Sequence, residues 1–155
     1  MDDYGNIGVL RSVIDERVAG QEEQLLPSPS TLVVHVRIGD VIEHSVQDGD
    51  VQGLYTGGRK ANRNWISQKF LDRVRGEAYY EAGAAFFKPR RVDKIVIVSG
   101  LHLAKNSDTS IHFLELVEET LRRYFPKAQI GLERRTGKTP DEDFIYMSSS
   151  TMLLT

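Results

Sequence analysis

Thr31-Leu-Val-Val-His-Val-Arg-Ile-Gly-Asp40 is an apolar, β-branched run that closes on an arginine and a Gly-Asp pair. At a two-residue period His35 and Arg37 share one face of a strand, while Val34, Val36 and Ile38 share the other. A cationic fork at the end of a buried strand needs a reason to be there. In an open α/β sheet, ligands bind at the carboxyl ends of strands. A planar guanidinium grips two oxygens at once and never loses its charge, so Arg37 suits a phosphate.

Upstream, Ile7, Leu10, Val13, Ile14 and Val18 recur at helical spacing, which predicts an amphipathic helix within residues 1–26. Pro27-Ser-Pro-Ser30 stops it and leads into the first strand, expected over Leu32 to Ile38. Residues 39–64 read as one long irregular loop holding Gly49, Gly53, Gly57 and Gly58. A loop of that length in a compact domain is often functional. A helix is expected from Trp65 to Lys88, weakened at Gly76 and Gly83 by close packing or a break. Val92 to Val98 holds Ile95-Val-Ile-Val98, the continuous apolar run of a strand buried on both faces. A helix follows from about Asn106 to Phe125, where Pro126 stops it. Ala128 to Glu133 is a short strand, Thr139 opens another helix, and Thr151 to Thr155 reads as a final strand.

Strand and helix alternate throughout, the signature of a parallel sheet with right-handed crossovers. The fold class is therefore α/β: a Rossmann-like parallel sheet with flanking helices over residues 31–155. A last strand with no loop or helix after it leads us to expect a polypeptide that continues past Thr155.

At 155 residues the chain fits one domain with a sizeable core. A net charge of -2 gives no global basic field for nucleic acid or an anionic membrane. With no cysteine there is neither a disulfide framework nor a thiolate metal site, and no His/Asp/Glu spacing predicts a metal. No apolar stretch approaches the roughly 20 residues that span a bilayer.

The His35-Val-Arg-Ile-Gly-Asp40 run resembles the His-x-Arg-x-Gly-Asp signature of GDP-fucose-dependent fucosyltransferases. Asp141-Glu-Asp-Phe-Ile-Tyr-Met-Ser148 is similar to the acidic Asp-x-x-x-Met helix of the same superfamily. The resemblance implies the C-terminal, donor-binding half of a GT-B glycosyltransferase. It implies GDP-fucose as donor substrate, a glycan or glycoprotein as acceptor, and inverting transfer with no metal or other cofactor. It also implies that Arg37 binds the β-phosphate, that His35 lies against guanine or ribose, and that Asp40 fixes the loop or orients Arg37. Relatives in eukaryotes work in the secretory pathway behind a membrane anchor. Three departures stand out: Ile38 occupies the place of a second arginine, and neither the small-residue phosphate loop expected after Thr155 nor an acceptor-binding half is present.

The candidate residues each carry an ordinary alternative. Arg37 and Asp40 are the catalytic candidates, although Arg37 could instead pair with Asp40, and Gly39-Asp40 suits a tight turn. His35 could be a hydrogen-bonded core histidine. Ser99, Gly100 and His102 follow the second buried strand, at a plausible switch point beside the first, and could touch the donor or be strand-end residues. Ser150 and Thr151 could hold phosphate, or join helix to strand. Gly57-Gly-Arg-Lys60 could cradle a diphosphate or be a solvated loop. Glu43, Asp48 and Asp50 are base candidates by proximity alone. Two other functions stay open: a non-catalytic nucleotide-binding or interaction domain, and an unrelated flavodoxin-like domain with no role for Arg37.

Overall fold

The computed structural model describes residues 5–19, 26–46, 49–57, 74–100, 107–131, 133–135 and 140–155. In chain order these form α1 (Gly5–Ala19), β1 (Thr31–His35), α2 (Asp40–Ser45), α3 (Val51–Thr56), α4 (Glu77–Phe87), β2 (Lys94–Val98), α5 (Ser107–Tyr124), a 3-10 helix (Pro126–Gly131), β3 (Glu133–Arg135), α6 (Pro140–Ser148) and β4 (Met152–Leu154). The strands make one four-stranded sheet in the order β3-β2-β1-β4, and every pairing is parallel. This is an α/β protein with an open parallel sheet, consistent with a Rossmann-like domain.

The two central strands carry apolar side chains on both faces because both faces are covered. Leu32, Val34, Val36, Ile95 and Ile97 enter the main core, where Tyr80 and Phe87 of α4 and Phe113, Val117 and Leu121 of α5 meet them. Val33, Val96 and Val98 face the other way and pack on Tyr146 and Met147 of α6. Each such buried side chain contributes about 1.5–3 kcal/mol of transfer free energy. The strand order explains the two-sided cover. The crossovers from β1 to β2 and from β2 to β3 step in one direction across the sheet. The crossover into β4 steps back past β1, so keeping its right hand puts α6 on the opposite face. The order therefore reverses between β1 and β4, not between β1 and β2 as the position of Ser99 had implied.

The loop expected over residues 39–64 contains two short helices. In α2, Val41, Ile42 and Ser45 turn inward. In α3, Val51, Leu54 and Tyr55 do the same, with Asp50 as cap accepting the Gly53 N–H at 2.7 Å. One or two turns give too short a stripe to stand out among glycines and acids. Gly57, at φ 71, ends α3 in the left-handed conformation that glycine adopts without strain. Residues 58–73 lie outside the described residues, and with them Gly58, Arg59, Lys60 and the first part of the helix expected from Trp65. Among the described residues that helix begins only at Glu77. Gly76 precedes it in extended backbone, and a Cβ there would lie 2.7 Å from the Tyr55 carbonyl oxygen. The strand expected over residues 128–133 is displaced: Pro126 starts a 3-10 helix that buries Ala128, and β3 follows at Glu133–Arg135. In α1, Ile14 and Val18 are half-buried, but Val13 is 42% exposed and lies off the expected stripe. The helix packs against α6.

Candidate functional site

β1 ends at His35, but its alternation continues. The Val36 N–H still donates to the Val98 carbonyl at 2.9 Å. Val36 and Ile38 are buried, and Arg37 between them is exposed. Its backbone is thus anchored on both sides while its side chain stands in solvent. Among the described residues no ion pair joins Arg37 to Asp40 or to any other carboxylate. Asp40 instead opens α2.

Gly39 makes the turn between strand and helix. Its φ of 80° and ψ of -130° belong to a region that residues with a Cβ avoid. Its N–H donates to the Oγ of Ser110 on α5 at 2.9 Å, and its carbonyl accepts from Ile42 and Glu43 at 3.1 and 3.0 Å. The segment after Arg37 is therefore tied to a helix on the main-core side of the sheet.

His35 is half-buried on the face that α6 covers. Burial holds its pKa below the ordinary 6.5, the Arg37 cation adds to the effect, and Asp143 of α6 opposes it. His35 is accordingly neutral near pH 7 and can donate from one ring nitrogen while accepting at the other. Asp143 was not singled out in the sequence, although a signal existed. It stands three and four residues before Tyr146 and Met147, which pack under the sheet, so it shares their side of the helix.

Ser99 follows β2 and is 1% exposed. Alternation after Val98 turns it toward α5, away from Arg37. Its Oγ is buried and has no hydrogen-bond partner among the described residues. Gly100 is exposed, and a Cβ added there would meet nothing within 4 Å. His102 and Asp48 lie outside the described residues. Asp50 is the cap of α3.

The structure does not bring Ser150 and Thr151 to this place. They precede β4, and Leu32 pairs with Met152, so they sit at the amino end of the sheet. Six residue steps of β1 at about 3.3 Å each put the level of Thr31 on the order of 20 Å from Arg37. Ser150 makes a local turn, its Oγ donating to the Met152 carbonyl at 2.8 Å and accepting the Met152 N–H at 3.2 Å. The Thr151 hydroxyl donates to the Pro29 carbonyl at 3.2 Å.

At the carboxyl end of the sheet an exposed guanidinium, a neutral imidazole and a carboxylate share the side that α6 covers, and the buried Ser99 hydroxyl lies on the opposite face. The set suits an anionic ligand with further polar groups. Among the described residues no three His, Asp or Glu side chains are placed to share a metal ion, and no helix is long and apolar enough to cross a membrane. Compared with known proteins, the chain matches no family model, no curated protein and no solved structure. Fold and site together define a class, an open parallel α/β domain with a cationic residue at the carboxyl end of its central strand.

Proposed function

We propose that this domain binds GDP-fucose or a similar nucleotide sugar, as the donor-binding half of a GT-B fucosyltransferase. The observation that carries the reading is Arg37, an exposed guanidinium on an anchored backbone at the carboxyl end of β1, with no ion pair among the described residues. β1 borders the reversal in strand order, where open α/β sheets take their ligands. There Arg37 binds the diphosphate. It neutralises the charge that grows on the leaving GDP as the sugar–oxygen bond breaks, which lowers the barrier without a metal. The acceptor is a glycan or glycoprotein hydroxyl that attacks the anomeric carbon with inversion and gives up its proton to a base as the bond to GDP breaks.

A second reading is nucleotide binding without turnover. It is favoured by the placement of Ser150 and Thr151, which leaves Arg37 without the hydroxyls expected beside it. Calorimetry with GDP tests the shared claim. The folded domain binds GDP, and Arg37→Ala abolishes the binding; no detectable affinity in the folded wild-type domain rejects both readings. Release of GDP from GDP-fucose by a domain that binds GDP then separates the first from the second.

A further inference from the structure

The amino end of the sheet holds a cleft of its own. Pro29 and Ser30 before β1, Arg90, Arg91 and Asp93 before β2, and Thr151 before β4 line a volume of about 570 Å³. That size falls within the ordinary range of small-molecule sites. The chain as a whole carries a net charge of -2, yet Lys88-Pro-Arg-Arg-Val-Asp-Lys94 brings four cations and one carboxylate to this end.

Both arginines are exposed, and each keeps donors that have no partner among the described residues. Arg91 places its Nε 3.1 and 2.8 Å from the two oxygens of Asp93. Asp93 is the one carboxylate among the described residues that line the cleft, and this contact engages it. The terminal amino groups of Arg91 have no partner among the described residues. Arg90 lies over the Phe87 ring, 5.9 Å from its centroid, and its guanidinium makes no hydrogen bond or ion pair among the described residues. Asp93 sits beside the Ser30 side chain, which favours its carboxylate form. Its backbone N–H donates to the Ser30 carbonyl at 3.0 Å, which ties the start of β2 to the start of β1.

We propose that this cleft binds the phosphate groups of a small phosphorylated molecule, at a site separate from Arg37. Two guanidinium groups lining one cleft offer the planar, paired donors that match the oxygens of a phosphate. The site stands independently of the donor-site reading, because the two lie at opposite ends of the sheet.

Inorganic pyrophosphate is the probe, followed by calorimetry and by backbone-amide NMR shifts on the intact chain. The variants are Arg90→Ala/Arg91→Ala and Arg37→Ala, each checked for fold by circular dichroism. Pyrophosphate is expected to shift the amides of Ser30, Arg91, Asp93 and Thr151. The double variant weakens binding at this site tenfold or more, and Arg37→Ala leaves it unchanged. Shifts confined to the region of Arg37 to Gly39, binding lost in Arg37→Ala but kept in the double variant, or no pyrophosphate binding at millimolar concentration would each overturn the proposal.

Discussion

The backbone N–H of Gly39 donates to the Oγ of Ser110 at 2.9 Å, joining two residues 71 positions apart in the chain. Both are buried, so the bond fixes where the chain leaves β1 and how Arg37 is presented. Gly39→Ala forces a Cβ into a glycine-only conformation and is expected to cost about 1–3 kcal/mol. Ser110→Ala leaves the Gly39 N–H buried without a partner and costs a similar amount, about 1–3 kcal/mol. Urea unfolding of both variants measures this. A Ser110→Ala protein as stable as wild type would show that the bond does not hold the turn.

Protonation of His35 is expected to destabilise the fold. Burial and the Arg37 cation lower its pKa in the folded state, so the folded chain holds fewer protons than the unfolded one just below pH 6.5. The contribution is complete above that pH and is lost as pH falls through the lowered folded value. Unfolding free energy measured from pH 7.5 downward should therefore fall more steeply in wild type than in His35→Gln. An NMR titration should find the His35 ring titrating below 6.5. An anion bound at Arg37 offsets that cation and moves the His35 titration back upward.

Two glycines set a contrast. A Cβ on Gly76 would lie 2.7 Å from the backbone carbonyl oxygen of Tyr55, which cannot turn aside. A Cβ on Gly83 would lie 2.6 Å from the methyls of Leu154, the far end of a flexible side chain on an edge strand. Gly76→Ala should destabilise by about 1–3 kcal/mol through overpacking. Gly83→Ala gains up to about 1 kcal/mol of helix propensity and should stay within about 1 kcal/mol of wild type. Thermal unfolding of the pair decides it. Equal losses would mean that Leu154 is as fixed as the backbone.

The central strands were legible because Leu32–Val34 and Ile95–Val98 are apolar on both faces, a pattern that few other environments demand. The α5 helix was legible because its apolar stripe runs for several turns. Helices α2 and α3 were not, since a six-residue helix shows too little of its period. At the site, Arg37 and Gly39 could be read from local pattern, an apolar run closing on a cation and a turn. Asp143 and Ser110 could not be placed there by pattern alone. They come from elements more than 65 residues away in the chain, and only the strand order brings them back to β1. Ser150 and Thr151 lie at the amino end of the sheet, and chain direction carries that answer. Residues that precede a parallel strand lie at its amino end.

A buried tyrosine pair should make the fold sensitive to alkali. The Tyr55 hydroxyl donates to the Thr120 Oγ1 at 2.8 Å, and its ring lies 6.1 Å from that of Tyr80. Burial pushes the Tyr55 pKa up to about 12, and burial followed by the neighbouring Tyr55 pushes that of Tyr80 up as well. An unfolded tyrosine ionises near 10, so the stability these groups contribute is whole below pH 10 and is lost as pH rises toward 12. Tyrosinate absorbance should reveal two tyrosines that ionise well above pH 10 while the chain stays folded. Tyr55→Phe removes one of them and, with its hydrogen bond, about 0.5–1.5 kcal/mol at neutral pH.

Ser99 separates stability from binding. Its Oγ is buried, and among the described residues no bond replaces the water it has lost. Removing an unsatisfied buried polar group relieves its desolvation cost, and Ser99→Ala should leave the domain as stable as wild type or more so. A residue kept for packing alone would show nothing else. If the ligand at the carboxyl end of the sheet takes this hydroxyl as a partner, the same variant should bind GDP less tightly. One hydrogen bond of about 0.5–1.5 kcal/mol corresponds to a loss of up to roughly tenfold. Stability kept and affinity lowered together place Ser99 in the site. Stability kept with affinity unchanged puts the ligand entirely on the Arg37 side of the sheet.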